Sequence, residues 1–508
     1  MPPYFSQDFP TPALRTALEK FTFQHGIVTL IAVIATYSFG LVVYRLFFHP
    51  LAKVPGPKLN AITELPFLWQ SAISGTFTHS IPDLHRKYGP VVRTAPNNVA
   101  VAAEHAWPEV YVHRKGRAEY VKVNMNEPGG ELQIIQATTT EDHRRQRRHL
   151  AHAFSEAANM FMDQLTLRAK IGEAIDVEKW FNFVTFDIIG DLSFGDSFHC
   201  LDTSDYHPWV EMIFSGIRGG AAKRLKLHNP LLWPLVRACM PQLRKDTGSH
   251  VQHAYFATEK AKERMALGES PGGRRDFMTY MMRKNRDGVN PMSDAEIFAN
   301  VPLLILAGSE TTATTLSGFA FYLAQNIEAH RKVTEEVRNA FASEADINFQ
   351  SAHRLRYLHA CIEEALRIFP AVAELPHRRS PGDIIGGHWI PQGTTVTTYQ
   401  WAAYRDPQHF IEPHSYIPER WLPASHPDHQ SRFEGDNKAV FQPFSAGPRN
   451  CIGKNLAYAE LKVIAARFLY RFDYQILPGQ ENWHKNMRTF IVWEKPPLMV
   501  KVTLRESS

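Results

Sequence analysis

The chain has 508 residues, of which 44% are hydrophobic and 21% charged, an ordinary composition for a globular protein. The net charge of +5 is small and dispersed, which excludes a protein that binds nucleic acid through a strongly basic surface. Four cysteines in so long a chain do not make a disulfide framework, and no N-x-[ST] sequon marks an extracellular surface. Length alone allows two or three domains, but no linker or repeat follows residue 60, so we predict one large domain.

An uncharged apolar segment near the N-terminus predicts a membrane anchor. Residues 26–44 contain no charge, and as a helix they reach about 28 Å, close to the thickness of the bilayer core. A cleaved signal peptide and a buried helix are the alternatives, but the exit Phe47-Phe48-His49-Pro50 is a poor cleavage site. We therefore divide the chain into a tail (1–25), a transmembrane anchor (26–48), a proline-rich hinge (49–60) and one large domain (61–508).

A second apolar stretch covers residues 225–240. Pro230 and Pro234 interrupt it, so it cannot cross a membrane as one helix. We expect it to form an apolar patch at the membrane interface; a buried loop is the alternative.

Ser293 and Glu296 form a capping-box pattern that begins a long helix, predicted to run to about residue 325. Residues 307–312 read AGSETT, and the small residues at its start leave room beside the helix for a small ligand. Pro302 cannot donate a hydrogen bond to the Phe298 carbonyl, so we expect a kink before this segment.

A pair of opposite charges follows at helical spacing. Glu364 and Arg367 are one turn apart and therefore share a helix face. With Arg420 of the Pro418-Glu-Arg-Trp segment they make a candidate buried network, which we interpret as structural rather than catalytic.

The most specific pattern is F-x-x-G-x-R-x-C-x-G at residues 444–453. A cysteine thiolate can bind haem iron and favour O–O cleavage. Cys451 precedes an apolar helical stripe, so the positive helix end would stabilise a negative sulfur; the stripe comprises Leu456, Ala459, Val463, Ala466 and Tyr470. Gly447 and Gly453 would let the backbone approach a flat ligand, and Arg449 would pair with a haem propionate.

These motifs, in this order, resemble the cytochrome P-450 family from about residue 50 to the C-terminus. The resemblance implies a mainly α fold with small β-sheets, in a single large domain behind the N-terminal helix. It also implies a haem b cofactor whose iron is bound by the Cys451 thiolate. It assigns proton relay during dioxygen activation to Glu310 and Thr311, and haem binding to Cys451, Arg449, Arg147, His143, His377, Phe444 and Gly453.

Two of the haem-binding positions depart from the family pattern. His143 stands where the family has the tryptophan of W-x-x-x-R, with Arg147 four residues later. His377 stands where the family often has an arginine that meets a haem propionate, and Arg378 follows, so either of the two could do so. We interpret the nearby Glu374 as a surface carboxylate; contact with a polar substrate group is the alternative.

The resemblance further implies the reaction and its partners. It implies a monooxygenase that takes electrons from an NADPH-dependent cytochrome P-450 reductase and oxidises a small lipophilic secondary metabolite, a terpenoid, polyketide or alkaloid intermediate. It implies a single-pass protein of the endoplasmic reticulum membrane with a cytosolic catalytic domain, in contact with lipid and not with nucleic acid. The alternatives are a haem-thiolate isomerase or dehydratase that needs no reductase, and a non-enzymatic haem sensor. Both fit less well, because the Glu310–Thr311 pair and the cysteine loop are intact.

Overall fold

The computed structural model describes residues 12–123, 157–231, 233–268, 276–282, 292–485 and 487–505. Within them the chain is mostly helical, with four small sheets. The main hydrophobic core takes in side chains from Leu51 to Val502, and a second, smaller cluster includes Phe77 and Tyr399. The mainly α architecture with small β-sheets that the motifs predicted is confirmed.

The helices of the first half, in chain order, are α1 (Pro12–Val43), α2 (Lys58–Ile62), α3 (Leu65–Leu68), α4 (Phe77–Tyr88), α5 (Ala103–Ala106), α6 (Ala157–Ile171), α7 (Val177–Phe194), α8 (Cys200–Thr203), α9 (Pro208–His228), α10 (Trp233–Cys239) and α11 (Pro241–Ala266). Those of the second half are α12 (Phe277–Met282), α13 (Asp294–Gln325), α14 (Ile327–Ala340), α15 (Phe349–Ala352), α16 (Arg356–Ile368), α17 (Gln400–Ala403) and α18 (Lys454–Arg471).

The strands are β1 (Val91–Ala95), β2 (Asn98–Val101), β3 (Val121–Lys122), β4 (Ala174–Asp176), β5 (Arg378–Arg379), β6 (Asp383–Ile385), β7 (His388–Ile390), β8 (Thr395–Thr397), β9 (Phe472–Ile476), β10 (Arg488–Phe490), β11 (Val492–Glu494) and β12 (Met499–Leu504). A five-stranded sheet has the order β1-β2-β8-β5-β3, in which β2 and β8 pair in parallel and the other pairs are antiparallel. A three-stranded sheet has the order β4-β12-β9, and β6-β7 and β10-β11 are hairpins.

The long helix α13 passes through the centre of the domain. It begins with the predicted capping box, in which the Ser293 hydroxyl accepts from the Glu296 N–H and the Glu296 carboxylate accepts from the Ser293 N–H. It packs against α7, α11, α16 and α18, which agrees with its apolar residues on all sides. The helix continues without a break through the buried Pro302, and the kink expected there stays a prediction.

The N-terminal helix carries the predicted anchor. The stretch His25–Phe48 has a mean hydropathy of 2.2 and none of it is buried. Helix α1 begins at Pro12, so the helix starts inside the segment that we predicted as a tail. The residues after it are attached to the domain rather than forming a loose hinge, since Leu51 is fully buried in the core.

Arg93 of β1 holds the proline-rich hinge against the domain through hydrogen bonds. Its N–H donates to the Pro55 carbonyl at 2.7 Å, and its guanidinium donates to the Arg45 carbonyl at 2.9 Å. A Cβ on Gly56 would lie 2.3 Å from the Arg93 carbonyl oxygen, so only glycine permits this contact. The proline-rich segment therefore fixes the end of the N-terminal helix against the first strand.

The apolar stretch 225–240 lies mainly at the surface. Leu231 is 94% exposed and Leu235 is 63% exposed, on and beside the short helix α10. Leu225, in contrast, is buried at the end of α9. The exposed leucines favour the predicted interfacial patch over a buried loop.

Candidate active site

The cysteine loop ends where helix α18 begins. The Cys451 N–H donates to the Phe444 carbonyl at 2.8 Å, which closes the loop, and α18 starts at Lys454 with Gly453 as its N-cap. Cys451 thus lies two residues before the N-cap, near the N–H groups that no helical carbonyl accepts. Its side chain is exposed, and the Phe444 ring packs against Tyr458 of α18 with centroids 4.9 Å apart. The predicted helix and its position after the cysteine are confirmed.

The two glycines of the loop differ in whether a contact within the protein requires them. Gly447 has φ +74°, and a Cβ there would lie 2.2 Å from the Tyr111 carbonyl oxygen. It is therefore required by a backbone contact within the protein, and the expected approach of this backbone to a flat ligand stays a prediction. Gly453 has no such constraint: a Cβ there would lie 3.9 Å from the Cys451 sulfur, an ordinary contact. Its role beside a ligand stays a prediction.

Helix α13 has one open stretch in its middle. Ala307 is exposed and Thr311 is half-buried, whereas Val301, Pro302 and Ile305 before them are buried. This stretch leaves room for a ligand, as the small residues predicted.

Gly308 has another role. A Cβ there would lie 2.4 Å from Cδ1 of Ile189, so the glycine lets α7 pack closely against α13. Of the two small residues, Ala307 therefore lies on the open stretch and Gly308 lies in a helix–helix contact.

Glu310 and Thr311 have separate partners although they are adjacent in sequence. The Thr311 hydroxyl donates to the Ala307 carbonyl at 2.7 Å, along the open stretch. Glu310 is fully buried, and its carboxylate accepts from the Lys495 ammonium and from the Thr314 hydroxyl, the latter at 3.1 Å. The acid is therefore held in an ion pair inside the protein.

Sequence reasoning missed the partners of Glu310. Lys495, just after β11, also lies 3.4 Å from Glu178 of α7, so one ammonium lies between two carboxylates. Burial raises the pKa of Glu178 to about 7, with Lys495 opposing the rise. Burial alone would lower the pKa of Lys495, but the two carboxylates hold it above its ordinary value. No local motif could have revealed this cluster, because its members come from three distant segments.

Another buried carboxyl group lies on the other side of α13. Glu460 of α18 is 2% exposed, and burial raises its pKa to about 8 while a hydrogen bond with Thr312 opposes the rise. Thr312 thus points toward α18, and its hydroxyl also donates weakly to the Gly308 carbonyl at 3.4 Å. Thr311 and Thr312 have different environments, as their positions around the helix predict.

Two buried arginines lie near the cysteine loop. Arg449 is 7% exposed, with a guanidinium nitrogen 3.7 Å from a Glu119 carboxylate oxygen. Arg378 of β5 is 3% exposed, lies over the Tyr111 ring at 4.8 Å, and has a buried Nε without a hydrogen-bond partner. Burial lowers the pKa of both groups, and the charge of Arg449 further lowers the pKa of Arg378. A buried, partly unsatisfied cation beside a second one is suited to an acidic ligand.

His377 and Glu374 form a pair of their own. The imidazole Nε2 contacts a Glu374 carboxylate oxygen, and both side chains are more than nine-tenths buried. Our interpretation of Glu374 as a surface carboxylate is therefore wrong, because its side chain is buried together with the histidine that it contacts. Between His377 and Arg378, the alternatives that the sequence left open, the geometry favours Arg378 for an acidic group.

The network of Glu364, Arg367 and Arg420 is buried and paired as predicted, and its structural role stays a prediction. Arg367 donates to both carboxylate oxygens of Glu364 at 2.9 and 2.7 Å, and Arg420 donates to one at 3.1 Å. Although burial opposes it, the two arginines lower the pKa of Glu364. Asp436 supplies a second anion for Arg420 at 2.5 Å.

The remaining predicted haem-binding residues, His143 and Arg147, lie outside the described residues. The described ones fit a flat, acidic, iron-containing cofactor. An exposed thiol lies at a helix N-terminus, α18 packs against α13 with its open stretch, and two buried arginines are available for carboxylates.

Comparison with known proteins agrees with this geometry. The family model "Cytochrome P-450" matches residues 55–502. A cytochrome P-450 monooxygenase (astJ) of Aspergillus oryzae is 39% identical over 480 residues, covering 91% of this chain and 93% of the relative. The trichothecene C-4 hydroxylase of Trichoderma arundinaceum is 38% identical, covering 92% and 95% of the two chains. The trichothecene C-15 hydroxylase of Fusarium sporotrichioides is 36% identical, covering 94% and 99%.

Proposed function

The chain belongs to the cytochrome P-450 family, and we propose that this monooxygenase oxidises a lipophilic secondary metabolite, a terpenoid, polyketide or alkaloid intermediate. The observation that carries the proposal is the exposed Cys451 at the start of α18, on a helix that packs against the Thr311-bearing helix α13. Relatives named trichothecene hydroxylases support the hydroxylation of a small molecule as the reaction. We assign the electron supply to an NADPH-dependent cytochrome P-450 reductase.

Members of the family carry a haem whose iron is bound by a cysteine thiolate. We assign haem b, with Cys451 as the iron ligand and Arg449 and Arg378 as the partners of its carboxylates. When bound, the haem supplies the activation of dioxygen, and the protein supplies orientation, exclusion of water and protons. The thiolate needs a stabilising environment, which the N-terminus of α18 provides.

Thr311 is the residue that we expect to hold a proton at the reaction site. Its hydroxyl hydrogen points to the Ala307 carbonyl, which leaves the oxygen able to accept a hydrogen bond from a water in the open stretch. Glu310 would restore the proton from behind the helix. Because Lys495 binds the Glu310 carboxylate, the acid has to exchange protons within that cluster.

The apolar surfaces of the protein support a location at a membrane. We propose a single-pass protein of the endoplasmic reticulum membrane with its catalytic domain in the cytosol. The exposed segment His25–Phe48 would cross the bilayer, and Leu231 and Leu235 would touch its surface. The substrate would then reach the enzyme from the lipid phase.

Reconstitution tests the function. The full-length protein is combined with purified reductase, NADPH and ¹⁸O₂ and given extracts that contain candidate metabolites. We expect NADPH-dependent products that carry one ¹⁸O atom, and none with Cys451→Ala. Conversion of a substrate without NADPH or reductase would instead support the isomerase or dehydratase alternative.

A further inference from the structure

A cavity of about 620 Å³ opens between α9, α11 and the β10–β11 hairpin. Its lining is mainly polar and aromatic and includes Glu178, Tyr206, Arg218, Gln242, Phe490 and Lys495. Water that enters this cavity can therefore reach Lys495, which binds Glu310, and Glu178, which lies beside Lys495. Neither the motifs nor the proposed roles of Glu310 and Thr311 account for this cavity.

Exposure falls in steps from the cavity to the central helix. The Glu178 side chain is 10% exposed, Lys495 is 2% exposed and Glu310 is fully buried. The Lys495 ammonium contacts Glu310 and lies 3.4 Å from Glu178, so the three groups form one connected line. The second oxygen of Glu310 is buried and makes no hydrogen bond, so it can receive a proton without breaking an existing contact.

The charges of this cluster favour one bound proton. Two carboxylates share the single ammonium of Lys495, and Asp176 adds a further negative charge near Glu178. Two neutral groups also lie beside Glu178: the Asn182 amide donates to it at 2.6 Å, and the Tyr206 hydroxyl lies nearby. The charged residues Arg218 and Lys245 line the same cavity, and Arg218 is paired with Asp246 and Glu494. Like charges in a buried site cannot all ionise together, so one carboxyl group holds a proton near neutral pH. The pKa of Glu178, about 7, agrees with this reasoning.

We propose that Glu178 is the proton-exchange residue that recharges Glu310 from the water of this cavity, with Lys495 as the link between them. Glu178 acts only through Glu310 and has no contact with the reacting atoms. The inference rests on the proposed function, in which Glu310 supplies Thr311 with protons.

The transfer balances without any further reactant. Lys495 gives one proton of its ammonium to the Glu310 carboxylate and takes one from the Glu178 carboxyl group. Lys495 ends as an ammonium, Glu310 is protonated and Glu178 becomes a carboxylate. Water in the cavity then returns a proton to Glu178, so each cycle moves one proton inward and no electrons.

A purely structural ion pair makes a different prediction. If Glu178 only neutralised Lys495, the uncharged isostere in Glu178→Gln would alter stability but not the pH dependence of the reaction. Glu494 supplies a matched control, because it lines the same cavity but pairs with Arg218 and Arg488, both at 2.5 Å. Glu494→Gln should therefore behave like the wild type.

The first test uses NADPH, purified reductase and dioxygen, with no substrate added. Hydrogen peroxide released per NADPH is measured between pH 6 and pH 8.5 for wild type, Glu178→Gln and Glu494→Gln. A carboxyl group with a raised pKa supplies protons below that pKa, so peroxide release by wild type should rise above about pH 7. In Glu178→Gln it should be high at every pH, with the fraction of oxygen reduced to water lowered roughly tenfold, below the usual range for acid–base catalysis. Equal peroxide release and equal pH profiles in Glu178→Gln and wild type would overturn the proposal.

The second test reads the proton directly by difference infrared spectroscopy of the full-length haem protein. A carboxylic acid band should disappear as the pH passes about 7 and should be absent from Glu178→Gln. Glu460→Gln should keep this band, because Glu460 lies on α18 beside Thr312 and is not part of the Glu178–Lys495–Glu310 cluster. A wild-type protein without a band titrating near neutrality would overturn the proposal even if Glu178→Gln failed to fold. The wild type also separates the two proposals: a titrating band without NADPH consumption would contradict the proposed monooxygenase function, but it would still show that Glu178 binds a proton near neutral pH.

Discussion

Replacing Glu364 tests whether the buried ion network holds the fold. Glu364 accepts from Arg367, Arg420, the Trp421 indole and the Ile417 N–H, all at 2.7–3.1 Å. Glu364→Ala removes every one of these acceptors at once. Glu364, Arg367 and Arg420 are buried to at least 99%, so water cannot take the place of the carboxylate.

The loss of stability in Glu364→Ala depends on the partners that the two arginines retain. Arg420 retains Asp436, but Arg367 is left with backbone carbonyls alone, those of Tyr404, Pro413 and Ser415. Removing one partner of a buried pair costs about 3–5 kcal/mol, because an uncompensated charge stays buried. The total stability of a domain is about 5–15 kcal/mol, so we expect Glu364→Ala to lose most of its folded, haem-containing population.

The assay compares haem content and urea unfolding for wild type, Glu364→Ala and Glu335→Ala. Glu335 pairs with Arg331 on the exposed surface of α14, where side chains are 55% and 52% exposed. Surface pairs of this kind contribute little, so Glu335→Ala should match wild type. A soluble, haem-replete Glu364→Ala protein with an unchanged unfolding midpoint would refute the reasoning.

Three further predictions test the haem site, two of them with a control substitution at a neighbouring residue. Cys451→Ala should lose the red-shifted band of the reduced, CO-bound protein that thiolate ligation produces, and a variant that kept the band would end the assignment. Arg378→Met should raise the rate of haem transfer to apomyoglobin by roughly tenfold or more, as expected for a lost charged hydrogen bond, whereas His377→Gln should not; the reverse result would place His377 at the carboxylate. Thr311→Ala should keep normal haem and reduction spectra but release more hydrogen peroxide per NADPH, because its hydroxyl lies on the open stretch of α13. Thr312→Ala should change peroxide release less, since Thr312 faces Glu460, and a larger effect of Thr312→Ala would contradict the assigned helix register.

The sequence by itself determined the features that depend on neighbouring residues. The capping box at Ser293 and Glu296, the helix after Cys451 and the shared face of Glu364 and Arg367 each follow from spacing over a few turns. Helix formation is local, so its start signals and apolar periodicity are readable without a structure. The family motifs added the fold class, because their order along the chain is specific.

Only the tertiary structure decided how buried side chains are paired. Gly447 and Gly308 looked like space for a ligand, yet Gly447 admits the Tyr111 carbonyl and Gly308 admits the Ile189 side chain. The sequence indicated a surface position for Glu374, whereas the structure shows it buried in contact with His377. The physical reason is that a steric contact or the neutralisation of a charge depends on atoms that chain folding brings from elsewhere.

The cluster behind Glu310 shows this limit most clearly. Glu178, Glu310 and Lys495 are separated by more than a hundred residues at each step, and none of them belongs to a common motif with the others. Burial raises the pKa of Glu178, Glu310 adds to the rise and Lys495 opposes it, and all three effects depend on packing between distant segments. The sequence names the acid beside Thr311, and the packing of α7, α13 and the chain after β11 decides which charged groups surround that acid.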